Sequence, residues 1–218
     1  LVVNGQTVRL EKAGWHWDTG FGKMDISELV KPGANLIDFA LNYGILSEVE
    51  SAYLVGDFGV RFKTTQAAEL CEEPKTLTPG SWTRQGYPFY SGAIVYQTQF
   101  HLDSNPAARG AVALRLKRPA GILFHIRLNG EPVGDLRWRP WRLDLTRQAR
   151  AGINNLEVEV VSSLQNSHGP RHLAEGEACD WQGPEAFEDP ALLIESYSPA
   201  DTGLLGGAEI LTWDRVQT

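Results

Sequence analysis

With 42 % hydrophobic and 22 % charged residues among 218, the chain has apolar material for one large or two modest buried cores. Its 27 acidic residues outnumber 20 basic ones, and a net charge of −7 argues against nucleic acid and anionic membrane as main partners. No apolar run approaches the roughly 18 residues that a membrane-spanning helix needs.

The first residues already alternate as a strand, with neither an initiator Met nor a leader. The expectation is a piece of a longer protein, whose targeting segment, if any, lies elsewhere. Leu1 to Asn42 contains Val2-Val3-Asn4-Gly5, then Met24-Asp25-Ile26-Ser27, then Lys31-Pro32-Gly33-Ala34-Asn35-Leu36-Ile37. Glu50 to Phe62 reads as a strand closing this part, with Gly56 and Gly59 suggesting a bulge or a close backbone approach. Thr64 to Gly80 shows no sustained period and reads as linker or strand edge.

Gln85 to Gly92 reads as a loop, Ala93 to Leu102 as an alternating strand, and Ala111, Ala113, Leu114 and Leu116 mark the next strand. From Ile122 the pattern becomes strongest. Ile122, Phe124, Ile126 and Leu128 share one apolar face, and Asn129-Gly130 is the best hairpin signal in the chain because both residues tolerate positive φ. Pro140 precludes a helix, and Trp141, Leu143 and Leu145 alternate against Arg142 and Asp144. Thr146 to Arg150 is one turn leading into Gly152, after which Leu156, Val158 and Val160 restart the alternation. Ser162 to Pro190 is a long insertion, and Ala191 to Tyr197 and Ala208 to Trp213 supply closing strands. The architecture expected is an all-β antiparallel sandwich with almost no helix.

The early segments match the later ones in order: Val2 to Gly5 with Arg127 to Gly130, Met24 to Ser27 with Leu143 to Thr146, and Lys31 to Ile37 with Arg150 to Leu156. This is an internal repeat. The spacing from Asp25 to Leu36 is eleven residues and from Asp144 to Leu156 twelve. The division expected is 1–63 as the C-terminal part of a first sandwich, 64–81 as linker, and 82–218 as a complete second sandwich.

The later run also resembles the sugar-binding jelly-roll domain of glycoside hydrolase family 2 and its relatives, including large α-L-rhamnosidase-like proteins. Asn129, Gly130, Gly134, Trp141, Asp144, Thr146, Gly152, Asn155, Leu156, Val158 and Val160 carry that resemblance. The stretch Ala52 to Val60 and the run from Asn166 to His172 resemble the rhamnosidase-like group too. The resemblance implies a galactose-binding-like jelly-roll and a bacterial, multidomain, glycoside-degrading parent, secreted or periplasmic. It implies carbohydrate and other domains of the same polypeptide as partners. Such domains often hold a structural calcium, which the resemblance implies for this chain too; no other cofactor is expected.

No catalytic constellation stands out. Glycoside hydrolysis needs two carboxyl groups fixed across one sugar bond, and Asp25 and Asp144 recur at repeat positions, which favours bonding of turn amides. His168 and His172 lie four apart, but Gly169-Pro170 between them opposes the helix that would bring them together on zinc. Cys71 and Cys179 read as free thiols more readily than as a pair. Sugars stack their C–H faces on aromatic rings, so loop aromatics are the candidate contacts. Trp181, beside Asp180 and Gln182, is the first choice, with Tyr87 and Tyr90 flanking Pro88, Trp15 and Trp17, and with Arg171 and His172 as hydroxyl partners. Trp138, Trp141 and Trp213 are expected in the core. The chain thus reads as a non-catalytic accessory module that binds carbohydrate or buttresses a catalytic domain. A fragment lending residues to a cleft formed elsewhere, or a plain spacer, are the competing readings.

Overall fold

The computed structural model describes residues 1–8, 14–16, 18–42, 44–45, 52–106, 110–168, 171–173 and 193–214; of 18, 168, 171–173, 193, 195 and 214 the backbone alone is described. These residues form two compact units, Leu1–Leu54 and Val55–Thr218. The protein is an all-β sandwich type. Among the described residues the helical content is one four-residue helix, α1 (Gln165–His168), and a 3₁₀ turn at Trp82–Arg84.

The first unit contains β1 (Val2–Val3), β2 (Gln6–Thr7), β3 (Trp15–His16), β4 (Asp18–Gly22) and β5 (Ile37–Asp38). β1 lies between β2 and β5, antiparallel to both, and β3 pairs with β4. Asn4 and Gly5 turn β1 into β2 with φ of 49° and 83°, the left-handed pair that a tight hairpin turn requires.

The second unit opens with β6 (Gly59–Phe62) and β7 (Ala68–Cys71), which pair as a hairpin. The strand expected to close the first unit therefore pairs inside the second, and the stretch read as linker or strand edge contains its partner. No alternation marks β7 because its side chains are exposed or half-buried throughout.

The main strands follow: β8 (Ala93–Leu102), β9 (Gly110–Leu116), β10 (Pro119–Ala120), β11 (Leu123–Leu128), β12 (Glu131–Leu136), β13 (Arg142–Asp144) and β14 (Gly152–Val161). Then come β15 (Arg171–Leu173), β16 (Leu193–Tyr197), β17 (Gly203–Leu204) and β18 (Ala208–Asp214). One sheet runs β12-β11-β14-β8 and another β13-β9-β18, all antiparallel; β10 pairs with β17 and β15 with β16. The core joins the two larger sheets. Phe124, Ile126 and Leu128 of β11 and Leu156, Val158 and Val160 of β14 are buried with Val112, Leu114 and Leu116 of β9. Period-two alternation puts these side chains on one face of each strand, and their removal from water drives the sheets together. Trp141 packs half-buried against this core, its ring edge-on to Phe124 at 5.4 Å.

The repeat holds bond for bond. Asn4 Nδ2 donates to Leu29 O (2.8 Å) and Asn35 Oδ1 (2.8 Å), while its Oδ1 accepts from Leu36 N (3.0 Å). Asn129 Nδ2 donates to Gln148 O (3.0 Å) and Asn154 Oδ1 (3.0 Å), while its Oδ1 accepts from Asn155 N (3.0 Å). Asn35 and Asn154 each clasp their own turn, donating to Lys31 O and Gly33 O in one copy and to Arg150 O and Gly152 O in the other. Asp25 and Asp144 accept from the amides two residues on, Ser27 N and Thr146 N, in Asx-turns.

These equivalences correct two expectations. Leu36 stands where Asn155 stands, so Ile37, not Leu36, matches Leu156, and the eleven-versus-twelve spacing is no real insertion. The asparagine that carries the motif is Asn154, fully buried, whereas Asn155 turns its side chain to Gln99 Nε2 at the surface.

Where the copies differ is in cover. Val158 and Val160 are 2 % and 0 % exposed, but their counterparts Phe39 and Leu41 are 54 % and 65 % exposed. In the second unit Val112 of β9 accepts from Leu145 N (2.8 Å) and donates its amide to Thr146 Oγ1 (2.9 Å). No described strand meets Ile26 or Ser27 in that way.

Candidate functional site

The second unit carries an open cleft of about 690 Å³, where β6, the turn after the Trp82 helix and the end of β16 converge. That volume suits one or two sugar rings. Local chemistry explains its walls. Gly86 has φ of +97°, and a Cβ there would lie 2.5 Å from Pro74 Cγ, so glycine alone lets this turn close on the Pro74 ring. The Gly86 carbonyl then accepts from Val60 N at 2.8 Å, which ties β6 to the turn.

Aromatic rings build the opposite wall. Phe62 and Tyr197 stack at 5.7 Å with an interplanar angle of 25°, and Phe89 meets both edge-on, at 5.5 and 5.1 Å. Arg61 and Arg84 line the cleft beside them. Arg61 reaches Glu69 Oε1 through Nε (3.1 Å) and Nη2 (2.9 Å), and Lys63 holds the same carboxylate, which these bonds keep below the usual range. Arg84 Nε meets Asp201 Oδ1 at 3.3 Å. Gln85 is committed elsewhere: its Oε1 accepts from Thr78 N and its Nε2 donates to Thr78 O and Ser81 O. The arrangement offers a sugar an apolar platform and guanidinium donors.

The residues singled out from the sequence fall into four groups. Tyr87 and Tyr90 do come together, with ring centres 5.6 Å apart, and Tyr90 meets Trp82 edge-on at 6.1 Å. Tyr87 donates to Glu73 Oε1 (3.1 Å); burial first, and that carboxylate second, push its pKa up to about 12, so it acts as a donor throughout ordinary pH. Tyr90 donates to Ala93 O (3.1 Å). Both lie next to the Gly86 turn. Arg171 and His172 sit on β15, and Arg171 is in register with Tyr197, which places that strand beside the aromatic wall. Trp15, on β3 of the first unit, is 60 % exposed. Trp181 and Trp17 lie outside the described residues, as does Cys179. Cys71 is a free thiol among the described residues, half-buried and on the cleft lining.

Two tryptophans expected in the core are on the surface instead. Trp138 is 73 % exposed in the β12–β13 connection between Arg137 and Arg139, and Trp213 is 40 % exposed with the Arg142 guanidinium 4.1 Å from its ring centre. The physical reason is parity. Trp213 stands with Glu209 and Leu211 on the side of β18 opposite to inward-facing Ile210, and small Ala111 and Ala113 on β9 leave room for Arg142 to lie over it. The cleft escaped sequence reasoning because its walls come from residues about 25 and 135 positions apart, none in a recognisable motif.

Among the described residues, no group of three or more His, Cys, Asp or Glu is placed to hold a metal ion, and no helix is long and apolar enough to cross a membrane. Asp135 accepts from or shares a proton with His125 Nδ1 (2.7 Å) and meets Arg137 (3.3 Å), which together hold its carboxyl below the usual range. That trio lies on the solvent side of the four-stranded sheet.

No family model matches the chain. Over 90 residues, 39 % of the chain, it is 32 % identical to a protein of Formosa agariphila named for β-glucuronidase activity, of which it covers 8 %. Among solved structures, it is similar to a rhamnosidase from Novosphingobium sp. PP1Y, at 21 % identity and a TM-score of 0.44, over 79 % of this chain and 16 % of that one. It is similar also to the Bifidobacterium dentium β-glucuronidase complexed with coumarin-3-O-glucuronide, at 22 % identity and a TM-score of 0.43, over 71 % of this chain and 28 % of that one. The chain thus spans well under a third of each of these relatives.

Proposed function

We propose that the chain is a non-catalytic accessory β-sandwich module, of the galactose-binding-like jelly-roll kind, from a carbohydrate-active enzyme, and that it holds carbohydrate in the cleft walled by Phe62 and Tyr197. The observation that carries this reading is the pairing, in one sugar-sized cleft, of stacked aromatic rings with two arginines. Aromatic faces take the C–H side of a pyranose while guanidinium groups bond its oxygens. Among the described residues the lining includes no carboxylate, whereas glycoside hydrolysis calls for two. The relative named for β-glucuronidase activity supports a glycoside-degrading parent. Arg171 and His172 lie on the strand paired with that of Tyr197, and with Trp181 they remain the proposed further sugar contacts.

The test is calorimetric titration of the 218-residue chain with a panel of oligosaccharides, repeated with Tyr197→Ala and with thermal melting of both proteins. Binding by the parent chain that Tyr197→Ala weakens at least tenfold, with the fold intact, supports the cleft. Equal binding by both proteins places the sugar elsewhere.

A buttressing role alongside a catalytic domain is the second reading. It is favoured by Phe39 and Leu41, large apolar side chains left 54 % and 65 % exposed on the first unit.

A further inference from the structure

Resting on the carbohydrate reading of the cleft, we infer that its ligand is an acidic glycan, whose carboxylate or sulfate groups are bonded by Arg61 and Arg84. The chain carries a net charge of −7, yet among the described residues the cleft lining contains two arginines and no Asp or Glu. Each arginine is paired with a carboxylate just outside the lining, so what the cleft offers an anion is directed guanidinium donors rather than a net positive field.

Donor and acceptor accounting points the same way. Glu69 engages Nε and Nη2 of Arg61, leaving Nη1; Asp201 engages Nε of Arg84, leaving both terminal nitrogens. Each guanidinium is therefore held in place by a carboxylate outside the lining while keeping donors to spare. The amide of Gln85, which could serve a neutral hydroxyl as donor and acceptor alike, is taken up by Thr78 and Ser81. What remains is the spare guanidinium N–H groups, with the hydroxyl residues Thr83 and Ser198 on the same lining. A carboxylate or sulfate, which only accepts, bonds those charged donors more strongly than a neutral sugar hydroxyl does. The Phe62–Tyr197 stack then requires a ring beside that anionic group, which separates a glycan from a free inorganic anion.

The experiment titrates the whole chain at low salt with three probes: an oligogalacturonate, a sulfated galacto-oligosaccharide, and the same galacto-oligosaccharide without sulfate. At least one acidic probe should bind about tenfold or more tightly than the neutral one, the step expected when a neutral hydrogen bond becomes a charged one. The gap should narrow in about 0.5 M salt, which screens partly exposed charges. Arg84→Gln should abolish the preference without moving the melting temperature, because its pair with Asp201 is exposed, and Arg61→Gln should reduce it. The better acidic probe tells carboxylate from sulfate. A neutral probe that binds as tightly as both acidic ones overturns this inference and leaves the carbohydrate reading standing. Absence of binding by all three up to millimolar concentration overturns both.

Discussion

The side-chain amide of Asn129 donates to the side-chain oxygen of Asn154 at 3.0 Å, joining the hairpin turn after β11 to the turn that launches β14. Asn154 answers for four bonds in all: its oxygen also accepts from Arg150 N (3.0 Å), and its nitrogen donates to Arg150 O (2.7 Å) and Gly152 O (3.1 Å). A fully buried amide with every site occupied fixes two turns at once.

Asn154→Ala should therefore cost about 3 kcal/mol, because several backbone groups lose their partner away from water. Asn155→Ala, which removes an exposed contact to Gln99, should stay within about 0.5 kcal/mol. Urea unfolding of the two variants checks the contrast. Equal losses would refute the assignment of the motif to Asn154.

Trp141→Ala should destabilise by about 2–4 kcal/mol, since the ring packs on Phe124 and the core. Trp138→Ala, at an exposed position, should change stability by no more than about 0.5 kcal/mol. Thermal or urea melts of both proteins measure the difference.

Gly86→Ala should lower stability by more than about 1 kcal/mol and open the cleft. The new methyl group meets the Pro74 ring on a backbone that L-residues rarely adopt. Faster amide exchange at Val60, whose N–H bonds the Gly86 carbonyl, is the local readout. Unchanged protection there would contradict the role given to this turn.

Acid should weaken the second unit in a way that Asp144 makes visible. The Thr146 hydroxyl and amide hold the Asp144 carboxyl below its ordinary value. Its folded pKa is thus lower than its unfolded value of about 4, and the unfolded chain binds the proton first. Its stabilising effect is complete above the unfolded pKa and is lost as pH falls through the folded one. Asp144→Asn keeps an acceptor for Thr146 N and cannot titrate, so its unfolding midpoint should fall less steeply below about pH 4 than that of the parent chain. Parallel slopes would remove Asp144 from the account.

Much of this fold could be read because its signals are local. Asn129-Gly130 needs only its neighbours to define a turn, and Phe124, Ile126 and Leu128 announce their buried face by alternation. β7 gave no such signal, because neither face of Ala68–Cys71 is fully buried. Trp138 misled for a related reason: a tryptophan in a structural run suggests core, but the β12–β13 connection points it outward. The cleft depends on Gly86 fitting Pro74 and on Phe62 meeting Tyr197, contacts made by chain folding across long separations, which no local pattern encodes. The choice between Asn154 and Asn155 also needed burial, since adjacent strand residues face opposite sides.

Phe39 and Leu41 continue directly from β5, whose one described strand partner is β1, so large exposed apolar side chains follow a strand that lies at a sheet edge among the described residues. In concentrated solution such an edge is a template for adding further strands, and the 218-residue chain should self-associate through it. Phe39→Lys would place a charge in that path and suppress the association. The same face that the second copy hides in its core becomes, in the first, the limit on how concentrated a sample can be kept in one dispersed state.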